Sequence, residues 1–330
     1  MAFAESFLQF PDLFPARPGG ELWGTFEHRL DLPGGPFTVR GLSGAQQHWI
    51  SQRYDREDPI SADQDLAEDL AAAVTISVYR AAVGDFFDAP ADDRWIDLDY
   101  TQDAVRIAGL GFMGRIEWRP ELACSLWTSR DGDKVFAGCC ENFLRVVLAY
   151  ALLERGGALL HSAGVVDGTR AHLFVGRSGA GKSTLARLGL ETGLEILSDD
   201  LNALLPASPP SPWWRAAKVP FTGELGDCAS DADSYPVGGL YRLAQGSHHK
   251  ITALDSGAAL AALMACCPFV NGDPYRLDRL TDVLQQVVSE LSVATLTFRL
   301  DSGLWQLLRE QQATVANTAT EPALPALGPR

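Results

Sequence analysis

Gly176-Arg177-Ser178-Gly179-Ala180-Gly181-Lys182-Ser183 is the stretch on which the reading of this chain turns. It matches G-x-x-x-x-G-K-[ST] at every required position. Glycines at 176, 179 and 181 let the backbone wrap tightly, so that successive N–H groups converge on phosphate oxygens. A helix predicted from about Ser183 to Thr192 adds its positive end. The Lys182 ammonium reaches the β- and γ-phosphates, and the Ser183 hydroxyl suits a Mg²⁺ ion. Thr184 follows as an early helix residue; with Arg177, Ser178 and Ala180 it completes the segment expected against a nucleotide. The alternative is a glycine-rich turn that binds nothing. Context argues against it, because Ala171–Val175 reads as a strand before the loop and a helix follows.

Outward from the loop, Ala158–Val166 reads as a strand and Asp167-Gly168 as a two-residue hairpin turn leading into the loop's own strand. After the helix, Gly193 ends it and Leu194–Leu197 reads as a third strand, with Ser198-Asp199-Asp200 at its carboxyl end. Asp199 lies 17 residues beyond Lys182, room for one helix, a turn and a short strand. In open α/β sheets ligands sit beyond the carboxyl ends of strands, so Asp199 is expected beside the phosphates. A carboxylate there can accept the proton of an attacking hydroxyl or hold Mg²⁺. Adjacent acids on an extended segment point to opposite sides. Asp199 is therefore assigned as the base and Asp200 as the metal-side acid, with the reverse left open. A solvated acid pair is the plainer alternative. His161 lies on the first strand, 21 residues before Lys182, and the hairpin would carry it towards the nucleotide end. There it could orient an acceptor or shuttle a proton. A histidine in an apolar run equally suits a hydrogen-bonded structural role.

Together, His161, the 176–183 loop and Ser198-Asp199-Asp200 resemble the catalytic domain of HPr kinase/phosphorylase, and more closely the HPr-kinase-related proteins. Asn142-Phe-Leu-Arg145, Leu159-Leu-His-Ser-Ala-Gly-Val165, Leu197-Ser-Asp-Asp200 and Pro220-Phe-Thr-Gly-Glu224 are similar to segments of the latter. The resemblance is specific over about residues 140–205, looser to about 310 and absent from the first 130. It implies an α/β fold with a mixed sheet like that of phosphoenolpyruvate carboxykinase. It further implies an ATP- and Mg²⁺-dependent kinase acting on a hydroxyl, typically a serine. By position, His161 would be the active-site histidine, Asp199 the acid–base residue and Asp200 its partner near Mg²⁺, with Glu224 as a further acid for the metal. Three features depart from HPr kinase. Ser162 replaces a glycine, Thr184 replaces a glutamate, and no Glu-Ile-Arg-Gly signature is present. Phosphorolysis and the HPr substrate therefore do not carry over with the motif. HPr kinase is an oligomer, which leaves a homo-oligomer open here.

The rest of the chain sets bounds. Its 330 residues are 46% hydrophobic and 21% charged, ordinary for a folded protein. The net charge of −15 opposes a generic nucleic-acid or anionic-lipid binder. Met1-Ala-Phe-Ala-Glu-Ser6 shows no basic region followed by an apolar stretch, and no apolar run reaches spanning length; Val146–Leu153 is stopped by Glu154-Arg155. Six cysteines without a CxxC suit free thiols in a reducing cytoplasm. These features predict a cytoplasmic protein with no membrane or nucleic-acid partner. Residues 1–135 read as an α+β region of unknown role: loops and short strands to about residue 60, a helix over Ser61–Ala73, and strands at Val74–Tyr79, Trp95–Tyr100, Ala104–Leu110 and Arg115–Trp118. Residues 136–316 read as the phosphate-loop domain, entered by a helix over Glu141–Leu153 on which Arg145 is expected to be at the surface or in an ion pair. Residues 317–330 read as a tail. His248-His249-Lys250 is expected to be a solvated loop, and Trp213-Trp214 to pack on the core. Two other function classes fit less well. A small-molecule kinase of the shikimate or gluconate type would open its chain on a parallel phosphate-loop strand. A nucleotide-dependent binding module would turn ATP over slowly. Parallel or antiparallel pairing of Leu159–Val166 with Ala171–Val175 distinguishes the first of these.

Overall fold

The computed structural model describes residues 20–55, 74–82, 96–118, 122–207, 213–226, 228 and 230–319, with side chains to residue 311. The helix expected over Ser61–Ala73, Trp95 and the tail from residue 320 lie outside the described residues.

Two mixed sheets and their covering helices make an α/β protein. The first sheet comprises β1 (Phe26–Leu32), β2 (Gly35–Leu42), β3 (Val74–Arg80), β4 (Ile96–Tyr100), β5 (Ala104–Gly109), β6 (Phe112–Trp118) and β7 (Leu122–Thr128). Its order is β1-β2-β3-β7-β6-β5-β4, with β2–β3 and β3–β7 parallel. Residues 26–54 are more regular than expected. Leu32 pairs with Gly35 to make a tight hairpin, and a helix, α1 (Gly44–Tyr54), follows. Ser43 caps it by accepting from Gln46 N, while the Gln46 side chain returns a bond to Ser43 N. Ser-x-x-Gln is a capping box, a signal present in the sequence. The strand β7 was likewise not expected.

Helix α2 (Lys134–Glu154) starts two turns earlier than Glu141, because Asp133 caps it and Phe136, Cys139 and Cys140 extend its buried face. This corrects the expectation that no apolar run reaches spanning length. Among the described residues α2 is long and apolar enough to cross a membrane, although 72% of its most apolar window is buried inside the protein.

The second sheet carries the motif. Its elements are β8 (Ala158–Asp167), β9 (Arg170–Val175), α3 (Lys182–Glu191), β10 (Glu195–Ser198), β11 (Leu201–Leu205), β12 (Arg215–Lys218), β13 (Ser234–Gln245), β14 (Lys250–Ala253), α4 (Ser256–Met264), α5 (Leu277–Glu290), β15 (Val293–Phe298) and α6 (Gly303–Ala319). β8 and β9 are antiparallel, with Asp167 opposite Arg170 across the predicted turn. β9 is parallel to β13, and β13 to β15. β10 and β11 run one after the other antiparallel to β8. Strands β8, β11, β12, β13 and β9 are thus paired in a ring, from which β10 and the β15–β14 pair branch.

Alternate residues of β8 and β9 enter different cores, as the pleat requires. Leu160, Val166, Leu173 and Val175 join a core shared with α2, α5 and the first sheet. Val165 and Phe174 face Leu185 of α3 and Trp305 of α6. The two sheets are also tied by polar contacts. Arg276 donates to Gln102 O at 2.8 Å and lies 3.9 Å over the Trp118 ring, while buried Asp273 accepts from Tyr150 Oη at 3.1 Å. Helix α6 runs on to Ala319, into the segment from residue 317 expected to be a tail. Trp214 is buried as expected and Trp213 is half exposed. His249 bonds Asp301 at 2.7 Å. All six cysteines are free and buried.

Candidate active site

A cleft of about 810 Å³ opens where β9, β10 and the start of β8 end. Its lining includes His161, Ser178, Gly179, Gly181, Lys182, Ser183, Thr184, Asp199, Asp200 and Glu224. These expected site residues are therefore brought together; Gly176, Arg177 and Ala180 belong to the same loop but are not in the lining.

The topology explains this. β9 delivers the loop at its carboxyl end, and β10, two strands away, runs the same way and delivers Asp199-Asp200. β8 lies between them in the opposite sense, so its beginning, not its end, meets the cleft. Burial along β8 then singles out His161 as the one exposed residue of a ten-residue strand. Its side chain is 46% exposed and Nε2 lies 3.6 Å from Asp200 Oδ1. Burial of the rest of the ring, then the Lys182 charge, lowers the imidazole pKa, and Asp200 opposes the shift. The structural role allowed for His161 is thus not seen; the histidine fully buried in the core is His172 on β9.

In the loop, Gly181 has φ 104° immediately before α3, a conformation that a side chain would strain. This turn aims the first amides of α3 at the cleft. The Lys182 ammonium donates to Gly176 O at 2.9 Å, closing the loop on itself. Its burial lowers its pKa, against the pull of Cys266, Asp200 and Glu224. Gln245, from the end of β13, braces the loop by donating to Gly179 O at 3.1 Å.

The two aspartates differ. Asp199 is 3% exposed; Oδ1 accepts from Leu225 N at 3.4 Å, and buried Oδ2 meets no donor among the described residues. Asp200 is more open and faces the His161 imidazole and the Arg145 guanidinium, whose Nη1 is 3.9 Å from Oδ2. The expectation that the pair points to opposite sides is corrected, since both border the cleft. They lie at the break between β10 and β11, where the ladder with β8 is irregular, so strand alternation does not govern them.

Arg145 is ion-paired as expected, with Glu141 at 2.7 Å, yet it also lines the cleft. Sequence reasoning missed that position, and it missed Gln245 and Gly223. The Asn-Phe-Leu-Arg segment was the available signal for Arg145. His248, His249 and Lys250 are not in the cleft lining.

The donor set fits a nucleoside triphosphate with Mg²⁺. The loop amides and Lys182 suit the polyphosphate, and Asp199 Oδ2 is a buried acceptor lacking a donor. Among the described residues no three His, Cys, Asp or Glu side chains form a metal cage. Mg²⁺ does not require one, since it takes one or two carboxylates plus substrate phosphates.

No protein-family model and no curated protein matches the sequence. Among solved structures, the chain is similar to the Hpr(Ser) kinase/phosphatase from Coxiella burnetii, at 8% identity over 49% of this chain and 98% of that one, with a TM-score of 0.27. At that score the structural resemblance is weak.

Proposed function

We propose that the protein is an ATP- and Mg²⁺-dependent kinase that transfers the γ-phosphoryl group to a hydroxyl, carried by a serine of a protein or peptide or by a small molecule. The observation that carries this is the convergence of the loop, Lys182, Asp199 and Asp200 on one cleft. Likeness to HPr-kinase-related sequences over residues 140–205 supports the same reading. Antiparallel pairing of β8 with β9 disfavours the shikimate or gluconate type, whose phosphate-loop strand lies among parallel neighbours.

In this reading the loop amides of residues 176–183 and the Lys182 ammonium hold the β- and γ-phosphates by charge-assisted bonds. Ser183 Oγ and the Asp200 carboxylate would hold Mg²⁺, with Glu224 as a further acid at the cleft wall. Bound there, the metal would supply neutralisation of the phosphate charge. Asp199 Oδ2 takes the proton of the acceptor hydroxyl as the new O–P bond forms and the bond to the β–γ bridging oxygen breaks. His161 orients Asp200 and the acceptor. Residues 136–316 supply most of this machinery, and Leu110 of the first region lines the same cleft.

The test is transfer from γ-labelled ATP with Mg²⁺ to serine-containing peptides and small hydroxyl compounds. Transfer should occur, and Asp199→Asn should abolish it while ATP still binds. Phosphate release with no labelled acceptor would instead favour a nucleotide-dependent binding module.

A further inference from the structure

Three cations and four acids line the cleft: Lys134, Arg145 and Lys182 against Glu141, Asp199, Asp200 and Glu224. The wall is already negative before any phosphate enters. Phosphoryl transfer spreads negative charge over the three equatorial oxygens, and an arginine beside them stabilises it further. Lys182 serves the loop side only, because its ammonium is tied back to Gly176 O.

Arg145 lines the same cleft from a different element, α2. Its Nη2 is anchored twice, to Glu141 Oε1 at 2.7 Å and to Thr222 O at 3.5 Å. Its guanidinium carbon lies 5.5 Å from the centre of the Phe221 ring. The anchors leave Nη1 pointing at Asp200, 3.9 Å away, too far for a full hydrogen bond. A planar fork held at one end and unsatisfied at the other suits a group that arrives with the substrate. Lysine could not do both jobs, since it offers a single point charge.

We infer that Arg145 is a catalytic residue that supplies the second cation on the transferring phosphoryl group, from the acceptor side, as an arginine built into the same chain. Glu141 and Thr222 O are its positioning partners. The inference rests on the kinase reading given above, and the experiment separates the two.

The measurement is the affinity of the full-length protein for Mg²⁺-ADP alone and for Mg²⁺-ADP with aluminium fluoride, which mimics the phosphoryl group in flight. Calorimetry gives both numbers for the unaltered protein, Arg145→Ala, Arg145→Lys and Glu141→Gln. Aluminium fluoride should tighten ADP binding to the unaltered protein. In Arg145→Ala the affinity for ADP alone should stay within about 3-fold, while the fluoride enhancement falls by at least about 100-fold, below the 10³–10⁵ range for a full arginine finger. Arg145→Lys should keep no more than about a tenth of the enhancement, and Glu141→Gln should lie between, because it frees the anchor and keeps the charge. A merely structural arginine would shift both affinities together or neither. An unchanged enhancement in Arg145→Ala overturns the role of Arg145 and leaves the kinase reading standing. Failure of the unaltered protein to bind ADP at all overturns both. If Arg145→Ala does not fold, an unchanged enhancement in Arg145→Lys and Glu141→Gln overturns the role equally.

Discussion

Gly223→Ala tests the acid pair without touching a charged group. A Cβ at residue 223 would sit 2.1 Å from Asp199 Oδ1, 2.9 Å from Asp199 Cγ and 3.0 Å from Asp200 Cβ. Real Cβ atoms essentially never come closer than 3.0 Å to a neighbour, so the carboxylate oxygen must retreat by at least 0.9 Å. Asp199 is 3% exposed, so the displacement must rotate the carboxylate or move the turn. A misplacement of about 1 Å at a reacting group costs about 10²-fold in rate. The added methyl also overpacks the turn, at about 1–3 kcal/mol of stability. The phosphate loop is left alone, so ATP affinity should stay within about 3-fold, since the loss falls on geometry rather than on binding. The assay is initial-rate transfer from γ-labelled ATP, with ATP affinity and urea unfolding measured on the same preparation. Normal transfer by a folded Gly223→Ala protein would refute the claim that the position of the Asp199 carboxylate matters.

Two further predictions concern the framework. Trp214 is fully buried and its indole N–H donates to Glu290 at 2.7 Å, so Trp214→Ala should cost about 3–5 kcal/mol in urea unfolding, and a loss under 1 kcal/mol would contradict its place in the core. Burial lowers the His172 imidazole pKa from 6.5 to about 4, so the folded protein keeps the ring neutral where the unfolded chain protonates it. Its contribution to stability is complete above about pH 6.5 and falls by about 3 kcal/mol as the pH drops towards 4. His172→Gln should remove that share of the pH dependence in denaturant titrations between pH 6.5 and 4, and an unchanged slope would contradict it.

The parts of the site legible in the sequence are those whose chemistry is local. The loop announces itself because only glycine tolerates φ 104° at residue 181 and because strand, loop and helix are consecutive. The hairpin before it is legible from Asp167-Gly168, and the hairpin is what carries His161 to the cleft. By its own helix Arg145 reads as an ion-paired residue, and its link to Thr222 O spans 77 positions of chain. Gln245 and Gly223 are likewise defined by what folds against them. The break between β10 and β11, which turns both aspartates towards the cleft, follows from their pairing with β8 and leaves no trace in the residue types. In the first region the hairpin at residues 32–35 and the Ser43–Gln46 capping box were readable local signals. The parallel pairs β2–β3 and β3–β7 join segments distant in the chain, and no motif marks them.

The central claim is that the 176–183 loop grips a polyphosphate through its amides and the Lys182 ammonium. Equilibrium titration of ATP with Mg²⁺ into the unaltered protein and Lys182→Ala tests it most directly. Saturable binding should weaken by about 10-fold or more in the variant, as the loss of a charged hydrogen bond of about 1.5–3 kcal/mol requires. Equal affinity in the two proteins, or no binding by the unaltered one, would contradict it.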